Sequence, residues 1–346
     1  MLTMTDRYPR VSVLMPCFNA RPWLEEAVAS VLGQSFDDFE LLVVDDGSTD
    51  GSQDVVESFS DPRVRLIRHP KNLGIVAALN NGLEACKGDY VARMDADDIC
   101  LPHRLARQVA FMDAHHEVVA CGSWQESFGN GSARVWKSPQ GHGEILSTLV
   151  FESCLYHPTM MIRRNVFSDQ GIRYDERYRH AEDYELWSRL HDAGAFANLG
   201  EVLLRYRLHP QSVGARLGRD QAEAADRVRR SWLLRLGIEP DDREMELHRK
   251  LALWMPDYGE AFAMAARNWL ERLQDRNREK KVCPEPEFSR ELARRLAYVC
   301  LQSAVATHRS RLIWRDSSLA RFCRFSPWQR LGHLVNILKN RRGRAA

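Results

Sequence analysis

The segment FELLVVDDGSTDGS (residues 39–52) joins a short apolar run to a cluster of turn-forming and acidic residues. An apolar run bounded by Gly, Ser and Asp is typical of a strand buried on both faces of a parallel sheet. Three other runs share this character: VSVLM (11–15), VRLIR (64–68) and YVARM (90–94). Amphipathic patterns separate them, over residues 23–32, from about Gln53, and over 75–86. The first hundred residues predict an α/β fold with a mostly parallel sheet flanked by helices.

The alternation of strands and helices continues to about residue 210. It predicts strands over 117–124, 157–164 and 201–210, and a helix opening in AEDYELWSRLHDAG (181–194). In parallel sheets, ligands bind at the carboxyl ends of the strands. Pro16 to Asn19, Asp45 and Asp46, and Asp95 to Asp98 each follow a predicted strand. These polar loops are therefore expected to line one cleft.

The charge of the chain is divided unevenly along its length. The net charge of +2 combines 21 Lys+Arg against 30 Asp+Glu in residues 1–215 with 28 against 17 in residues 216–346. Beyond Val213 the sequence becomes Arg-, Ala- and Leu-rich and reads as long helices. These shifts predict one domain over residues 1–215 and a basic, helical C-terminal domain over residues 216–346.

Cysteine content and hydropathy bear on the cellular compartment. The eight cysteines form no C-x-x-C pair and lie mostly in apolar surroundings, which indicates buried, reduced thiols. The N-terminus has no apolar core of a signal peptide, and no run reaches the roughly 18 apolar residues of a membrane span. We therefore expect a cytoplasmic protein, with peripheral contact to the inner face of the plasma membrane as a possibility.

The segment MDADD (94–98) places three carboxylates within four positions. Crowded carboxylates repel one another and are commonly compensated by a divalent cation, by basic partners or by helix amides. Oxygen ligands of this kind suit Mg²⁺ or Mn²⁺ held together with substrate phosphates. The alternative is that Asp97 and Asp98 cap the helix that begins after Leu101 and Pro102. Arg93 is expected to pair with an acid of this cluster.

Seven segments occur in an order and at a spacing that resemble bacterial family-2 glycosyltransferases, which are inverting enzymes of the GT-A fold. They are VSVLMPCFNA, ELLVVDDGSTDGS, NLGIVAALNNGL, GDYVARMDADD, HPTMMIRR, AEDYELWSRL and YRLHPQSVG. The resemblance covers residues 9–215 and does not extend into the remaining chain. It implies a GT-A nucleotide-diphospho-sugar transferase fold followed by an α-helical extension.

The resemblance also implies the residues that would hold a nucleotide-sugar donor. They are Pro16, Asn19, Asp45, Asp46, Asn72, Gly74 and Asp95. Asp46 would accept a hydrogen bond from the base, and Asp95 would lie near the ribose. The simpler alternative for Asp45 and Asp46 is that they only cap a turn.

Metal and catalytic roles follow from the same resemblance. Asp97 matches the carboxylate that binds Mn²⁺ or Mg²⁺, and His209 could complete the metal shell or be purely structural. Asp183 matches the base that takes the proton of the acceptor hydroxyl during a single, inverting displacement. Glu182 would contact the acceptor, unless both acids merely enrich the first turn of a helix. Asp98 is expected beside the metal site.

Two more side chains are candidates on less specific grounds. Arg205 and Arg207 lie on one face of a predicted strand, and we assign Arg207 to the donor diphosphate. His157 begins a predicted strand and borders the expected acceptor site, although a structural histidine fits equally well.

The end of the chain is strongly basic. Residues 321–346 hold seven Arg or Lys and no acid, with apolar residues at helical spacing between Trp328 and Leu338. Such a helix can lie on an anionic membrane surface or dock on the protein itself. No aromatic-interleaved or groove-reading motif supports nucleic-acid binding.

The sequence thus predicts a metal-dependent, inverting glycosyltransferase. It would move a hexosyl or N-acetylhexosaminyl group, with a UDP-sugar favoured, onto a saccharide or lipid-linked acceptor in cell-surface polysaccharide or lipopolysaccharide synthesis. The alternatives are a non-catalytic sugar-nucleotide-binding scaffold of the same fold and a metal-dependent nucleotidyltransferase. A Rossmann dehydrogenase is disfavoured because no G-x-G-x-x-G follows the first strand.

Overall fold

The computed structural model describes residues 8–210, 218–257, 259–304 and 310–323. The chain divides into two compact units. The first contains Met1–Ile145 and Ser153–Ala225, and the second contains Leu146–Glu152 and Asp226–Ala346. The division of the sequence near residue 215 stays our proposal for where the catalytic domain ends.

The first unit carries the strands. They are β1 (Val11–Cys17), β2 (Phe39–Asp45), β3 (Val64–Arg68), β4 (Tyr90–Arg93), β5 (Ile99–Cys100), β6 (Val118–Gly129), β7 (Arg134–Trp136), β8 (Met161–Arg163) and β9 (Ala195–Leu208). The helices up to the end of this part of the chain are α1 (Arg21–Leu32), α2 (Ser52–Glu57), α3 (Ile75–Ala85), α4 (Arg104–Ala114), α5 (His142–Leu149), α6 (Asn165–Ser168), α7 (Glu182–Leu190) and α8 (Arg219–Arg235). Strands and helices alternate as the sequence predicts.

All nine strands form one sheet in the order β3-β2-β1-β4-β8-β6-β9-β5, with β7 paired to β6. The neighbours β3, β2, β1 and β4 are parallel. Beyond β4 the sheet is mixed, because β8 runs antiparallel to both β4 and β6 while β6 and β9 are parallel. The GT-A-like α/β class predicted from the sequence is confirmed, with a helical region following it.

The core explains why the first strands read as continuous apolar runs. Every residue of β1 and β2 is buried, since helices cover both faces of the sheet. On one face α1 packs Leu24, Val28 and Val31 into the core. On the other face lies α3, where a Cβ added at Gly82 would come within 2.2 Å of a Leu14 methyl. The sheet is thereby held rigidly enough to position the loops at its carboxyl edge.

Local predictions fail where proline or tertiary contacts decide the backbone. Residues 157–164 were expected to form one strand, but His157–Thr159 is a 3₁₀ helix that contains Pro158, and only Met161–Arg163 is a strand. The helix after Pro102 has His103 as its N-cap, without a side-chain cap. The capping alternative for Asp97 and Asp98 is therefore wrong.

The second unit contains helices. After α8 they are α9 (Asp242–Ala252), α10 (Glu260–Lys280), α11 (Glu287–Ala304) and α12 (Ser310–Arg315), followed by a 3₁₀ turn at Ser318–Phe322. Asp241 and Glu244 form a capping box at the start of α9. Within this unit the fully buried Arg295 is paired with Glu291 and Glu152, each at 2.6 Å. The two carboxylates therefore compensate the positive charge that is buried with Arg295.

All eight cysteines fall within the described ranges, and none of them forms a disulfide; seven are buried and Cys323 is partly exposed. No helix in the described ranges is both long and apolar enough to cross a bilayer. Most of the predicted basic helix over residues 321–346 lies outside the described residues, which end at Cys323.

Candidate active site

A cavity of about 1100 Å³ opens at the carboxyl edge of the sheet. The predicted site residues that line it are Pro16, Asn19, Asp46, Asn72, Gly74, Asp95, Asp97, His157, Glu182, Asp183 and His209. Residues up to 193 positions apart in the chain therefore meet in one place, because parallel strands deliver their following loops to a common edge. Asp45, Asp98 and Arg207 do not line the cavity.

Asp46 is held in place by three hydrogen bonds from the protein. Its Oδ1 accepts from His69 Nδ1 at 2.7 Å and from the Leu73 amide at 2.9 Å, while Oδ2 accepts from the Gly74 amide at 2.8 Å. Asn81 Nδ2 donates to His69 Nε2 at 2.9 Å, which leaves the imidazole proton on Nδ1, facing Asp46. No sequence pattern predicts that His69, which lies 23 positions from Asp46, forms a hydrogen bond with it.

Gly74 shows why glycine is needed in this loop. Its φ of 94° and ψ of 159° form a conformation that side-chain-bearing residues rarely adopt, and a Cβ there would meet no atom within 4 Å. The backbone at Gly74 therefore faces open space in the cavity while its amide holds Asp46. A ligand could approach this backbone closely.

Asn19 and Asp45 organise the two neighbouring loops. Asn19, at φ 51°, accepts from the Thr49 amide through Oδ1, and its own amide donates to Ser48 Oγ, each at 2.9 Å. Asp45 is only 1% exposed and accepts from the Ser48 amide and Gln53 Nε2. These hydrogen bonds hold the turn, as the simpler alternative expects, and the assignment of Asp45 to ligand binding stays a prediction.

The three carboxylates of the MDADD segment form a tight cluster. Each of Asp95, Asp97 and Asp98 offers an oxygen within 4.8 Å of the others. Burial, reinforced by the charge of Asp95, raises the pKa of both Asp97 and Asp98. Arg93 Nη2 pairs with Asp95 Oδ1 at 2.5 Å, as the sequence predicted. One buried cation does not balance this concentration of negative charge.

The donor atoms of this cluster fit a divalent cation. Carboxylate oxygens suit Mg²⁺ and Mn²⁺, and a histidine nitrogen is also acceptable to Mn²⁺. His209 Nε2 lies 2.8 Å from Asp97 Oδ2. Asp98 Oδ2 is buried, and no described residue gives it a hydrogen-bond partner. Asp98 lies beneath the cavity lining, which agrees with its expected place beside the metal ligands.

Arg207 supports the carboxylate loop from outside the cavity. Its amide donates to Asp98 Oδ1 at 2.9 Å, and its Nε donates to the Asp97 carbonyl at 2.7 Å. The guanidinium also pairs with Glu26 at 2.6 Å and lies over the Phe128 ring. These contacts direct its described hydrogen bonds to the loop and to Glu26, and its assignment to the donor diphosphate stays a prediction.

Asp183 lies in the first turn of α7, where it is partly exposed and lines the cavity. Burial, with a contribution from the charge of Glu182, raises the pKa of Asp183 to about 7. The Tyr184 amide, 2.7 Å from Oδ1, and the positive charge of Arg93 act in the opposite direction. Burial also raises the pKa of Glu182. A carboxyl group that titrates near neutrality can accept a proton from a substrate and release it to solvent.

His157 borders the cavity beside this acid pair. Its Nε2 lies 2.7 Å from the hydroxyl of Tyr174, and its ring meets the Trp187 ring edge-on. Burial, aided by the charge of Arg93, lowers the pKa of His157 well below its usual value. The imidazole is therefore neutral, and its contact with acceptor stays a prediction.

Comparison with known proteins adds the evolutionary relationship. The model of glycosyl transferase family 2 matches residues 12–171. An uncharacterized glycosyltransferase of Haemophilus influenzae is 32% identical over 252 residues, covering 68% of this chain and 77% of the relative. The chain belongs to glycosyltransferase family 2.

Two further likenesses characterise this family-2 glycosyltransferase. An Escherichia coli protein, the UDP-Glc:alpha-D-GlcNAc-diphosphoundecaprenol beta-1,3-glucosyltransferase WfgD, is 29% identical over 208 residues, or 59% of this chain and 79% of the relative. Staphylococcus aureus TarS 1-349, solved with UDP-GlcNAc, has a TM-score of 0.57 at 18% identity and covers 90% of this chain and 89% of its own. At that identity, the likeness to TarS concerns the fold alone.

The structure also brings to the cavity several residues that the sequence analysis missed. They are Trp23, Gln125, Trp136, Ser153, Tyr156 and Tyr206. Tyr206 lies in the recognised segment YRLHPQSVG, but the resemblance gives it no role. Gln125 and Trp136 lie in β6 and β7, and Ser153 and Tyr156 precede the 3₁₀ helix at His157–Thr159, all outside the recognised segments. Only the folded chain reveals them.

Proposed function

We propose that this family-2 glycosyltransferase is a metal-dependent, inverting enzyme that transfers a hexosyl or N-acetylhexosaminyl group. A UDP-sugar is the favoured donor, and the acceptor is a saccharide or lipid-linked saccharide of the cell envelope. The E. coli relative, whose name gives a UDP-sugar donor and a diphosphoundecaprenol-linked acceptor, supports both choices. Polysaccharide or lipopolysaccharide synthesis on the inner face of the membrane follows as part of the proposal.

One observation carries the proposal: a partly exposed carboxyl group with a pKa of about 7 lines the same cavity as Asp95 and Asp97 of the carboxylate cluster. Asp183 would take the proton of the acceptor hydroxyl as the acceptor oxygen bonds to the anomeric carbon. The bond from that carbon to the diphosphate breaks on the opposite face, so the configuration inverts. A scaffold that only bound sugar nucleotides would have no need of such a base.

Asp97 and His209, with Asp95 and Asp98 close by, are the residues that would hold Mn²⁺ or Mg²⁺. When bound, the cation supplies Lewis-acid stabilisation of the charge that develops on the departing diphosphate. Asp46 would accept from the base of the nucleotide, held rigid by His69. Pro16, Asn19, Asn72 and Gly74 would form the walls of the nucleotide pocket.

The proposal also assigns a role to each of the two predicted domains. Residues 1–215 would form the catalytic domain and residues 216–346 a basic helical domain. We propose that residues 321–346 touch an anionic membrane surface, since seven positive and no negative residues favour such contact. Nucleic acid is not among the proposed partners.

The test measures donor binding and turnover separately. Saturation-transfer NMR and hydrolysis assays would use UDP-, dTDP- and GDP-sugars with Mn²⁺ or Mg²⁺. Asp97→Ala is expected to abolish metal-dependent donor binding. Asp183→Asn should retain donor binding but lose roughly 10²–10⁴-fold in turnover, the usual contribution of a general base.

Asp54→Asn serves as the matched control, because Asp54 is an exposed acid of the same unit outside the cavity. It should leave binding and turnover unchanged. If no nucleotide-sugar binds with either metal, the proposed activity must be withdrawn. If Asp183→Asn turns over donor at the wild-type rate, another group is the base.

A further inference from the structure

Three aromatic side chains form a wall on one side of the cavity. The Trp136 ring centroid lies 5.5 Å from that of Tyr206 and 6.1 Å from that of Tyr156. All three residues are partly exposed and line the cavity. Such a wall offers flat apolar surface, with phenol and indole groups at its edges for hydrogen bonding.

Buried polar atoms without partners gather in the same cavity. They are Arg93 Nε and Nη1, Gln125 Oε1, Ser153 Oγ and Glu182 Oε2, none of which has a hydrogen-bond partner among the described residues. Gln125 is 2% exposed and Arg93 is 6% exposed. Buried polar groups are nearly always paired in folded proteins, so unpaired donors and acceptors on residues that line a cavity favour a ligand with hydrogen-bonding groups.

Gln125 connects these polar atoms to the aromatic wall. It is the direct partner of Trp136 in the antiparallel pairing of β6 and β7. Opposite residues of such a pair project to the same face of the sheet, so a buried amide and the indole ring are adjacent. Together they present an acceptor oxygen beside an apolar surface. A sugar ring can place a C–H face against such a surface and donate a hydroxyl group to such an oxygen.

Sheet order separates this wall from the nucleotide pocket. Asp46 follows β2 and the carboxylate cluster follows β4, whereas Trp136 lies on β7 and Tyr206 on β9, and Tyr156 precedes the 3₁₀ helix at His157–Thr159. Because β7 pairs with β6 and β9 lies beyond β6 in the sheet order, β4 separates Trp136 and Tyr206 from β2 in the sheet. Tyr206 is close to the cluster, since burial and the charges of Asp95, Asp98 and Asp97 raise its pKa.

We propose that Trp136, Tyr156 and Tyr206, with Gln125, Ser153 and Arg93, form an acceptor subsite for an uncharged pyranose ring. The inference rests on the proposed glycosyl transfer and specifies which part of the acceptor enters the cavity. A pyranose presents an apolar C–H face to the wall and hydroxyl groups to the unpaired polar atoms. A lipid phosphate could accept from Arg93 and Ser153, but it would leave the oxygens of Gln125 and Glu182 unpaired. It would also bring its charge toward the acids of the cavity and the carboxylate cluster, which are Asp95, Asp97, Asp98, Glu182 and Asp183.

In the transfer step, the acceptor sugar's hydroxyl oxygen forms the new bond to the anomeric carbon of the donor. The bond from that carbon to the diphosphate oxygen breaks, and the nucleoside diphosphate leaves with its electron pair. Asp183 receives the hydroxyl proton. Stacking on the wall would fix the acceptor ring, so that one hydroxyl points at Asp183.

The subsite can be tested without turnover. Saturation-transfer NMR on the full chain with UDP and Mn²⁺ would measure binding of methyl glycosides of hexoses, N-acetylhexosamines, 6-deoxyhexoses and uronic acids. n-Octyl phosphate would be the lipid-phosphate probe. Trp136→Ala should weaken neutral methyl glycosides by roughly tenfold, as loss of an aromatic contact predicts, and leave UDP binding unchanged.

Two variants control the experiment. Val135→Ala changes the neighbouring, 42% exposed residue of β7 outside the cavity and should bind like wild type. Trp136→Tyr keeps an aromatic face and should restore most of the affinity, which a purely structural role would not require. Thermal unfolding of each variant shows that it is folded.

Two results would overturn the subsite, and a third would count against the proposed function alone. Binding of n-octyl phosphate in preference to every methyl glycoside would overturn the subsite, as would a Trp136→Ala variant that loses nucleotide-sugar affinity and keeps glycoside affinity. Trp136-dependent glycoside binding without donor hydrolysis would instead count against the proposed function and in favour of the subsite.

Discussion

At the scale of single residues, Arg93 has the widest electrostatic influence in the cavity. It pairs with Asp95, and its charge lowers the pKa values that burial raises at Asp183 and Glu182. Without this cation, two neighbouring buried acids would both favour the protonated form. Arg93 therefore keeps the proposed base near neutrality, within the range where a base works best.

Turnover should follow the ionisation of Asp183. Its raised pKa of about 7 means that the carboxylate, the form able to take a proton, decreases as the pH falls. At saturating donor and acceptor, we expect the rate to fall roughly tenfold per pH unit below about 7 and to level off above it. Initial rates across the pH range would measure this.

Donor binding measured over the same range is the control, and it should not follow that curve. The residual rate of Asp183→Asn should be independent of pH around neutrality. A wild-type rate that stays flat through pH 7 would assign the base to another group.

At the scale of elements, close backbone packing sets the position of the carboxylate loop. Gly88 precedes β4, and a Cβ there would lie 2.5 Å from the Ser12 amide nitrogen and 2.7 Å from the Val11 carbonyl carbon of β1. The Gly88 amide donates to Ser12 Oγ, and its carbonyl accepts from Arg164. The approach of β4 to β1 therefore depends on a glycine.

Gly88→Ala should destabilise the protein by about 1–3 kcal/mol, because the backbone of β1 must move to admit the methyl group. Chemical denaturation with urea would measure the free energy of unfolding. Gly141→Ala is the matched control, since a Cβ at Gly141 meets no atom within 4 Å. If Gly88→Ala and Gly141→Ala had the same free energy of unfolding, β1 and β4 would be able to move apart for the methyl group without loss of stability.

At the scale of the whole molecule, negative charge is concentrated in the part of the chain that holds the cavity. Residues 1–215 carry nine more acids than bases, and residues 216–346 carry eleven more bases than acids. Within the first part, the buried acids of the carboxylate cluster oppose folding unless they are compensated. Ligands that bind only the folded protein should therefore stabilise it.

Mn²⁺ with UDP should raise the melting temperature, and EDTA should reverse the rise. At about 100 times the dissociation constant, a ligand adds roughly 2.7 kcal/mol to the free energy of unfolding. Differential scanning fluorimetry would follow the transition. Asp97→Ala should remove the metal-dependent part of the shift, while Asp54→Asn should keep it; an undiminished shift in Asp97→Ala would place the metal elsewhere.

The sequence by itself determined the family, the α/β fold and the approximate location of the cavity. Apolar runs and helical periods are local signals, and parallel strands place their following loops at one edge whatever the details of packing. Asp46 and Asp97 follow strands and Asp183 lies at a helix start, so it could be expected that all three would line one cavity. Their chemical roles stay predictions.

Only the tertiary structure decided which side chains face the cavity and how they ionise. Asp45 and Arg207 do not line the cavity: Asp45 is buried beside Ser48 and Gln53, and Arg207 is bound to the carboxylate loop more than 100 positions away. His69 supports Asp46, and Trp136 joins Tyr206 across 70 positions of chain, although no spacing signals either pair. The raised pKa of Asp183 has the same origin, because burial is a property of the folded molecule and not of any local segment.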